Sequence, residues 1–341
     1  MLRRIVLLLC LTAVLGACKR GSDTDGAANK PLSVYSARNE QLIQPLIARW
    51  SEQTGTPVQL VTADAGPLLE RLRAEGEATP ADVLLTVDAG NLWQAAELDL
   101  LQSLEDTTLT QRIPAHLRDP GNRWFGLSVR ARTVLHHTQR APAAQIDSYA
   151  ALGNPQWKGR LCLRTSKKVY NQSLVAMLIA EHGEAGAEAI VRRWVGNLAA
   201  PPFANDTAVI EAIAAGQCDV GIINTYYFGR WQAKNPDAPL ALFWPDQGAE
   251  GRGVHVNVSG GGVVKYSDAP TQAQAFLEWL AAPEAQAQFA GANLEYPANS
   301  EVAVDPVVAA WGAFRQNLIN VSEAGKRQAE AVKLMDRAGY R

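Results

Sequence analysis

Short apolar runs with strand character alternate along this chain with segments of helical spacing, and that alternation most narrows the folds open to it. Residues 32–35, 58–61 and 83–86 read as strands, whereas 40–50, 68–73 and the segment opening at 92–96 place apolar side chains on one helical face. The order βαβαβ implies a largely parallel sheet flanked by helices. A second run follows Trp124-Phe125-Gly126-Leu127, with strands at 133–135, 161–163 and 220–223 and helices at 173–179 and 188–195. A later strand, 254–264, is interrupted by Gly260-Gly261-Gly262, read as a bend or hinge, and is expected to lead the chain back to the first sheet. Residues 271–290 and 322–337, rich in Ala, Glu, Gln, Lys and Leu, read as closing helices. The expected fold is therefore α/β and two-lobed. Each lobe is a mixed, mainly parallel sheet flanked by helices, and the ligand cleft of the hinged clamshell lies between them. The first lobe is assigned to residues 32–130 and about 259–304, the second to 131–258 and about 305–341.

The N-terminus carries a different message. Met1-Leu2-Arg3-Arg4 is a basic start, residues 5–15 are apolar but short for a membrane span, and Leu15-Gly16-Ala17-Cys18 has the form of a bacterial lipobox. Residues 1–17 thus read as a lipoprotein signal peptide and Cys18 as the acylated first residue of the mature chain, with an ordinary secretory leader as the alternative. Residues 18–31 are polar, lack periodicity and read as a flexible tether. The expected location is the periplasm, anchored by lipid to a bacterial membrane.

Loss of Arg3 and Arg4 with the leader takes the formal charge from −2 to −4. Neither that balance nor any motif points to nucleic acid. Beyond Cys18 only Cys162 and Cys218 remain, an even pair in an oxidising compartment. They fit a disulfide between neighbouring strands and equally two buried thiols, because spacing does not supply the Cα separation a bridge needs.

Tyr226-Tyr227 stands where the apolar strand 220–223 runs out, and open α/β sheets bind ligands at the carboxyl ends of their strands. A free phenol ionises near pH 10, but a hard, highly charged cation can deprotonate it at neutral pH. Paired tyrosines at such a place point to ferric iron; two aromatics packed at a lobe interface are the plainer alternative. His136-His137 does not compete, since adjacent strand residues face opposite ways.

Several short motifs, in order, carry a family resemblance: Val34-Tyr35-Ser36-Ala37-Arg38-Asn39-Glu40, Pro80-Ala81-Asp82-Val83, Thr86-Val87-Asp88-Ala89-Gly90, Trp124-Phe125-Gly126-Leu127, Arg130-Ala131-Arg132, Val169-Tyr170-Asn171-Gln172-Ser173-Leu174, Asn224-Thr225-Tyr226-Tyr227 and Glu295-Tyr296-Pro297. Together they resemble the periplasmic ferric-iron-binding proteins, the substrate-binding components of iron ABC transporters, with a type II periplasmic-binding-protein fold. The resemblance implies a non-enzymatic, monomeric protein that binds Fe(3+) and hands it to an inner-membrane permease and its ATPase. It makes Tyr226 and Tyr227 phenolate ligands and Tyr170 a third, with Arg130 holding a synergistic carbonate or other small anion. Ser166, Asn205, Asn224 and Thr225 are weaker anion-site candidates.

The chain departs from the pattern in the first lobe, where many relatives have His, or His followed by Tyr, at the place of Asn39-Glu40. Glu40 is either a hard oxygen ligand or an acid in the first turn of a helix. Two other classes stay open. A clamshell for another solute, such as a polyamine, thiamine or an oxyanion, would have no evident use for three tyrosines; a secreted enzyme lacks an assembled acid, base and nucleophile.

Overall fold

The computed structural model describes residues 30–105 and 107–341. The leader 1–17, Cys18 and most of the tether lie outside the described residues. Nine strands run in the order β1 (Leu32–Ser36), β2 (Val58–Thr62), β3 (Val83–Val87), β4 (Phe125–His137), β5 (Leu161–Cys162), β6 (Val220–Asn224), β7 (Leu240–Phe243), β8 (Val256–Val263) and β9 (Tyr296–Pro297). The helices are α1 (Glu40–Thr54), α2 (Ala65–Glu75), α3 (Ala89–Glu97), α4 (Thr108–Arg112), α5 (Val169–Gly196), α6 (Asp206–Ala214), α7 (Thr225–Gln232), α8 (Pro270–Leu280), α9 (Pro283–Gly291), α10 (Pro306–Ala309), α11 (Glu323–Lys326) and α12 (Gln328–Arg337).

The α/β clamshell expected from the alternation is present. Its sheet order is β2-β1-β3-β8-β4-β6-β5, with β7 and β9 also paired to β4. The pairs β1–β2, β1–β3 and β5–β6 are parallel. Every pair made by β4 or β8 is antiparallel, a direction that alternation alone does not report.

β4 joins the lobes. Its thirteen residues are all buried, and it changes partner between consecutive residues: Ala131 pairs with Val256 on β8, and Arg132 pairs with Asn224 on β6. One core gathers Val34, Leu46, Leu84, Phe125, Val258 and Phe276. Val134, Val175, Trp194, Ile222 and Leu334 form another, beside a smaller cluster that includes Leu135, Val209 and Ile223. Val254 and Val256 already belong to the first core, ahead of the expected return near 259, and Val308 and Val321 belong to it past 305. Which partner strand a segment meets sets these limits, and that is a long-range fact.

Gly260-Gly261-Gly262 is not a hinge. The three residues lie inside a central strand, opposite Thr86, Leu85 and Leu84 of β3. A Cβ at Gly260 would stand 2.2 Å from the Phe125 carbonyl oxygen, and one at Gly262 would stand 2.3 Å from that of Arg123, so bare backbone is required for the strands to meet. The long α5 contains a break instead, at Gly183 with φ of 68°.

Cys162, on β5, and Cys218, two residues before β6, are joined by a disulfide with a Cα separation of 5.9 Å. The bridge spans 56 residues, enclosing the tyrosine-bearing start of α5 and all of α6. Closing a loop of that size in the unfolded chain contributes about 2–4 kcal/mol. Replacing both cysteines by serine is expected to lower the guanidinium midpoint accordingly; an unchanged midpoint would show that the bridge adds nothing.

Candidate metal centre

The apolar β6 is buried throughout and ends at Asn224, whereupon the chain turns directly into α7. Tyr226 and Tyr227 therefore sit in the first turn of α7, their ring centroids 4.5 Å apart. Tyr170 occupies the equivalent place in α5, one residue after its start. Neither helix has a side-chain cap. Their free N–H groups and positive dipole ends thus point to where the phenols gather, the polarity that suits an anionic oxygen.

Asn would ordinarily cap its own helix. Asn224 is employed otherwise: its Oδ1 accepts from Arg132 Nη1 at 3.0 Å, and its Nδ2 donates to the Tyr226 hydroxyl at 3.3 Å. Tyr226 is 4% exposed, Tyr170 and Tyr227 half-buried. Burial, and then the neighbouring Tyr170 oxygen, push the Tyr226 phenol well above its ordinary pKa; the Arg130 charge pulls the other way. Without a bound cation Tyr226 therefore keeps its proton at neutral pH.

Arg130 lies on β4 at the lobe crossing, with its guanidinium carbon 5.5 Å from the Tyr170 ring centroid. Nη2 donates to the Val258 carbonyl at 2.6 Å, while the buried Nε has no partner among the described residues. Burial opposes its charge, but the oxygens of Tyr170, Glu295, Tyr226 and Asp88 more than offset this and hold it firmly protonated. Arg130, Arg132, Tyr170, Asn224, His255 and Asn257 line a cavity of about 10 Å³, room for roughly one water-sized group. The Thr225 hydroxyl is likewise buried without a hydrogen-bond partner among the described residues.

The remaining candidates lie elsewhere or do other work. Asn205 is exposed and caps α6, accepting from the Ala208 N–H at 2.9 Å. Ser166 lines a groove with Lys167, Gln172, Lys333, Tyr340 and Arg341 on the side of the C-terminal helix. Glu40 is exposed at the first position of α1, whose cap is Asn39, and no hydrogen bond or ion pair joins it to the tyrosines. His136 and His137 are spent on the local backbone.

Four residues that surround the tyrosines escaped sequence reading. Arg164 has its guanidinium carbon 5.4 Å from the Tyr170 ring centroid and 6.0 Å from that of Tyr227. Asp206 and Arg132 form a buried ion pair at 3.2 Å. Asp88, fully buried, accepts from Ser173 at 3.0 Å and Asn257 at 2.8 Å, tying α5 to the first lobe. The available signals were Arg130-Ala131-Arg132, since alternate strand residues share a face, and the motif Thr86-Val87-Asp88-Ala89-Gly90, which contains Asp88.

Residues 46–316 match the family described as bacterial extracellular solute-binding protein. The chain belongs to that family. This solute-binding protein is 41% identical to Iron uptake protein A2 of Synechocystis over 320 residues, covering 92% of this chain and 91% of the relative. It is 27% identical to the Fe(3+)-binding periplasmic protein of Serratia marcescens, covering 92% of this chain and 91% of that one. Among solved structures, the Trichodesmium protein IdiA (FutA), in complex with iron and citrate, superimposes with a TM-score of 0.87 at 42% identity, covering 92% of this chain and all of the other. Ferric iron-binding protein A of Mannheimia haemolytica, in an open conformation, superimposes with a TM-score of 0.85 at 33% identity over 91% of this chain and 98% of the other.

Proposed function

We propose that this solute-binding protein captures ferric iron between its lobes through the phenolates of Tyr170, Tyr226 and Tyr227. Arg130 holds a carbonate or similar small anion beside the ion by charge-assisted hydrogen bonds. The observation that carries the reading is the meeting of three tyrosines at two uncapped helix starts, next to a buried arginine with an unsatisfied donor. Three phenolates neutralise a 3+ ion. Among the described residues no cluster of three or more His, Cys, Asp or Glu offers a competing metal site. The iron-uptake and ferric-binding names of the relatives agree with the assignment.

In this reading the protein works in the periplasm as a monomer tethered through acylated Cys18, and delivers its cargo to an inner-membrane ABC permease and ATPase. Metal analysis of the purified protein together with its visible spectrum tests it. One ferric ion per chain and a phenolate-to-iron absorption band are expected; a colourless protein that takes up no ferric ion would end the reading.

The first lobe offers Glu40 as an oxygen donor, exposed at the carboxyl end of β1. If it joins the ion on closure, Glu40→Gln weakens ferric binding and shifts the absorption band. If it serves only α1, the same change costs a few tenths to about 1 kcal/mol of stability and leaves the band alone. Titration with ferric ion and apo-protein melting, done side by side, separate these outcomes.

A further inference from the structure

We propose that the buried triad Arg132–Asp206–Arg164 is a positioning device that fixes all three tyrosines, with Arg164 as its contact to Tyr170 and Tyr227. Its consequence for iron affinity rests on the ferric reading above; its consequence for the apo protein does not.

Asp206 is the first residue of α6 and is completely buried. Its Oδ2 accepts from Arg132 Nη1 at 3.2 Å and from the Asn224 N–H at 3.1 Å, and its Oδ1 faces Arg164 Nη1 at 3.5 Å. Two chains of contacts leave this carboxylate. Through Arg132, one reaches Asn224 Oδ1 at 3.0 Å and so the Tyr226 hydroxyl; Arg132 Nη2 also donates to Asn171 Oδ1 at 2.6 Å, the residue after Tyr170. The other runs through Arg164, whose guanidinium carbon lies 5.4 Å from the Tyr170 ring centroid and 6.0 Å from that of Tyr227. The Arg164 backbone is fixed as well, since its carbonyl accepts from Asn171 Nδ2 at 2.8 Å and from the Tyr340 hydroxyl at 2.6 Å.

Stability does not account for such a triad. Buried ion pairs lose several kcal/mol per ion to desolvation, and apolar replacements often serve a fold as well or better. Two guanidinium groups around one carboxylate also leave a surplus positive charge at the helix starts where the phenols meet, the sign that suits a phenolate. Arg164 Nε and Nη1 are buried without hydrogen-bond partners among the described residues, as is Asp206 Oδ1. Arg164 thus has donor capacity to spare, and its loose 3.5 Å pairing with Asp206 restrains it without consuming that capacity.

The test uses Arg164→Met and Arg164→Lys in the full chain, since Asp206→Asn would strand two buried arginines and endanger folding. Arg164→Met is expected to keep the apo fold, weaken ferric binding by about ten- to a hundredfold and shift the phenolate-to-iron band. Arg164→Lys, which restores charge without the planar fork, is expected to recover part of the affinity. In a Tyr227→Phe background the Arg164→Met loss should shrink, because the two residues act through one contact. Wild-type affinity and band in Arg164→Met, or strict additivity with Tyr227→Phe, would overturn the proposal. Amide exchange of the apo protein needs no metal: residues 169–172 and 225–228 should exchange faster in Arg164→Met. If the wild type shows no ferric band the function proposed above fails, and unchanged exchange in the variant would then overturn the triad by itself.

Discussion

Tyr226→Phe is expected to lower ferric affinity by on the order of 1,000-fold, more than the 10- to 100-fold that loss of an outer partner of a metal ligand costs. The change removes one oxygen and keeps the ring, which stays against Tyr227 at a centroid distance of 4.5 Å. Among the described residues that oxygen takes one hydrogen bond, a long one from Asn224 at 3.3 Å, so apo stability should fall by no more than about 1 kcal/mol. Tyr170→Phe and Tyr227→Phe should behave alike. Tyr296 supplies the control, because its hydroxyl is buried without a partner among the described residues and the residue lines a groove with Val304, Ala309 and Phe314, outside the tyrosine cluster. Tyr296→Phe should leave iron binding alone. Chelator competition on the four variants, beside apo melting curves, checks this; three tyrosine variants with wild-type affinity would remove the phenols from the metal shell.

Acid should strip the ion, and steeply. A phenol is protonated at neutral pH in the absence of metal, so each tyrosine that becomes a ligand releases a proton, and binding through three of them makes affinity change by about a thousandfold per pH unit. The sign follows directly: protons and ferric ion compete for the same oxygens, and affinity falls as pH falls. Tyr226 sharpens the effect. Burial and the adjacent Tyr170 oxygen raise its pKa well above the ordinary phenol value, so its proton leaves only when the cation arrives. Chelator competition between pH 8 and 5, with proton release followed in weakly buffered solution, gives the slope. Retention of iron independent of pH would be incompatible with phenolate ligation.

Much of the fold was legible because strand and helix periodicity are local properties. The alternation from Leu32 onward announced an α/β clamshell, and the apolar run of β6 announced that Tyr226 and Tyr227 would stand at a strand's end. The helix read from 173 onward in fact starts at Val169, which puts Tyr170 in its first turn with Asn171 and Ser173 buried. Local chemistry also misled. Asn205 has the makings of an anion contact, yet an Asn ahead of a helix is first of all a cap, and that is what it does. The triple glycine looked like a hinge because sequence shows missing side chains and not the neighbouring backbones that require them to be missing.

The sequence by itself thus determined the lobes' element types, the apolar cores they bury and the residues with chemistry to offer an ion. The tertiary structure decided how β4 divides its length between β8 and β6, which chain segments pack in which core, and which charges meet beneath the tyrosines. Arg132 finds Asp206 across 74 positions and Asn171 across 39. Such pairings have no local signature, because a buried charge is placed by the distant groups that compensate its lost hydration, and only the folded chain brings those groups within reach.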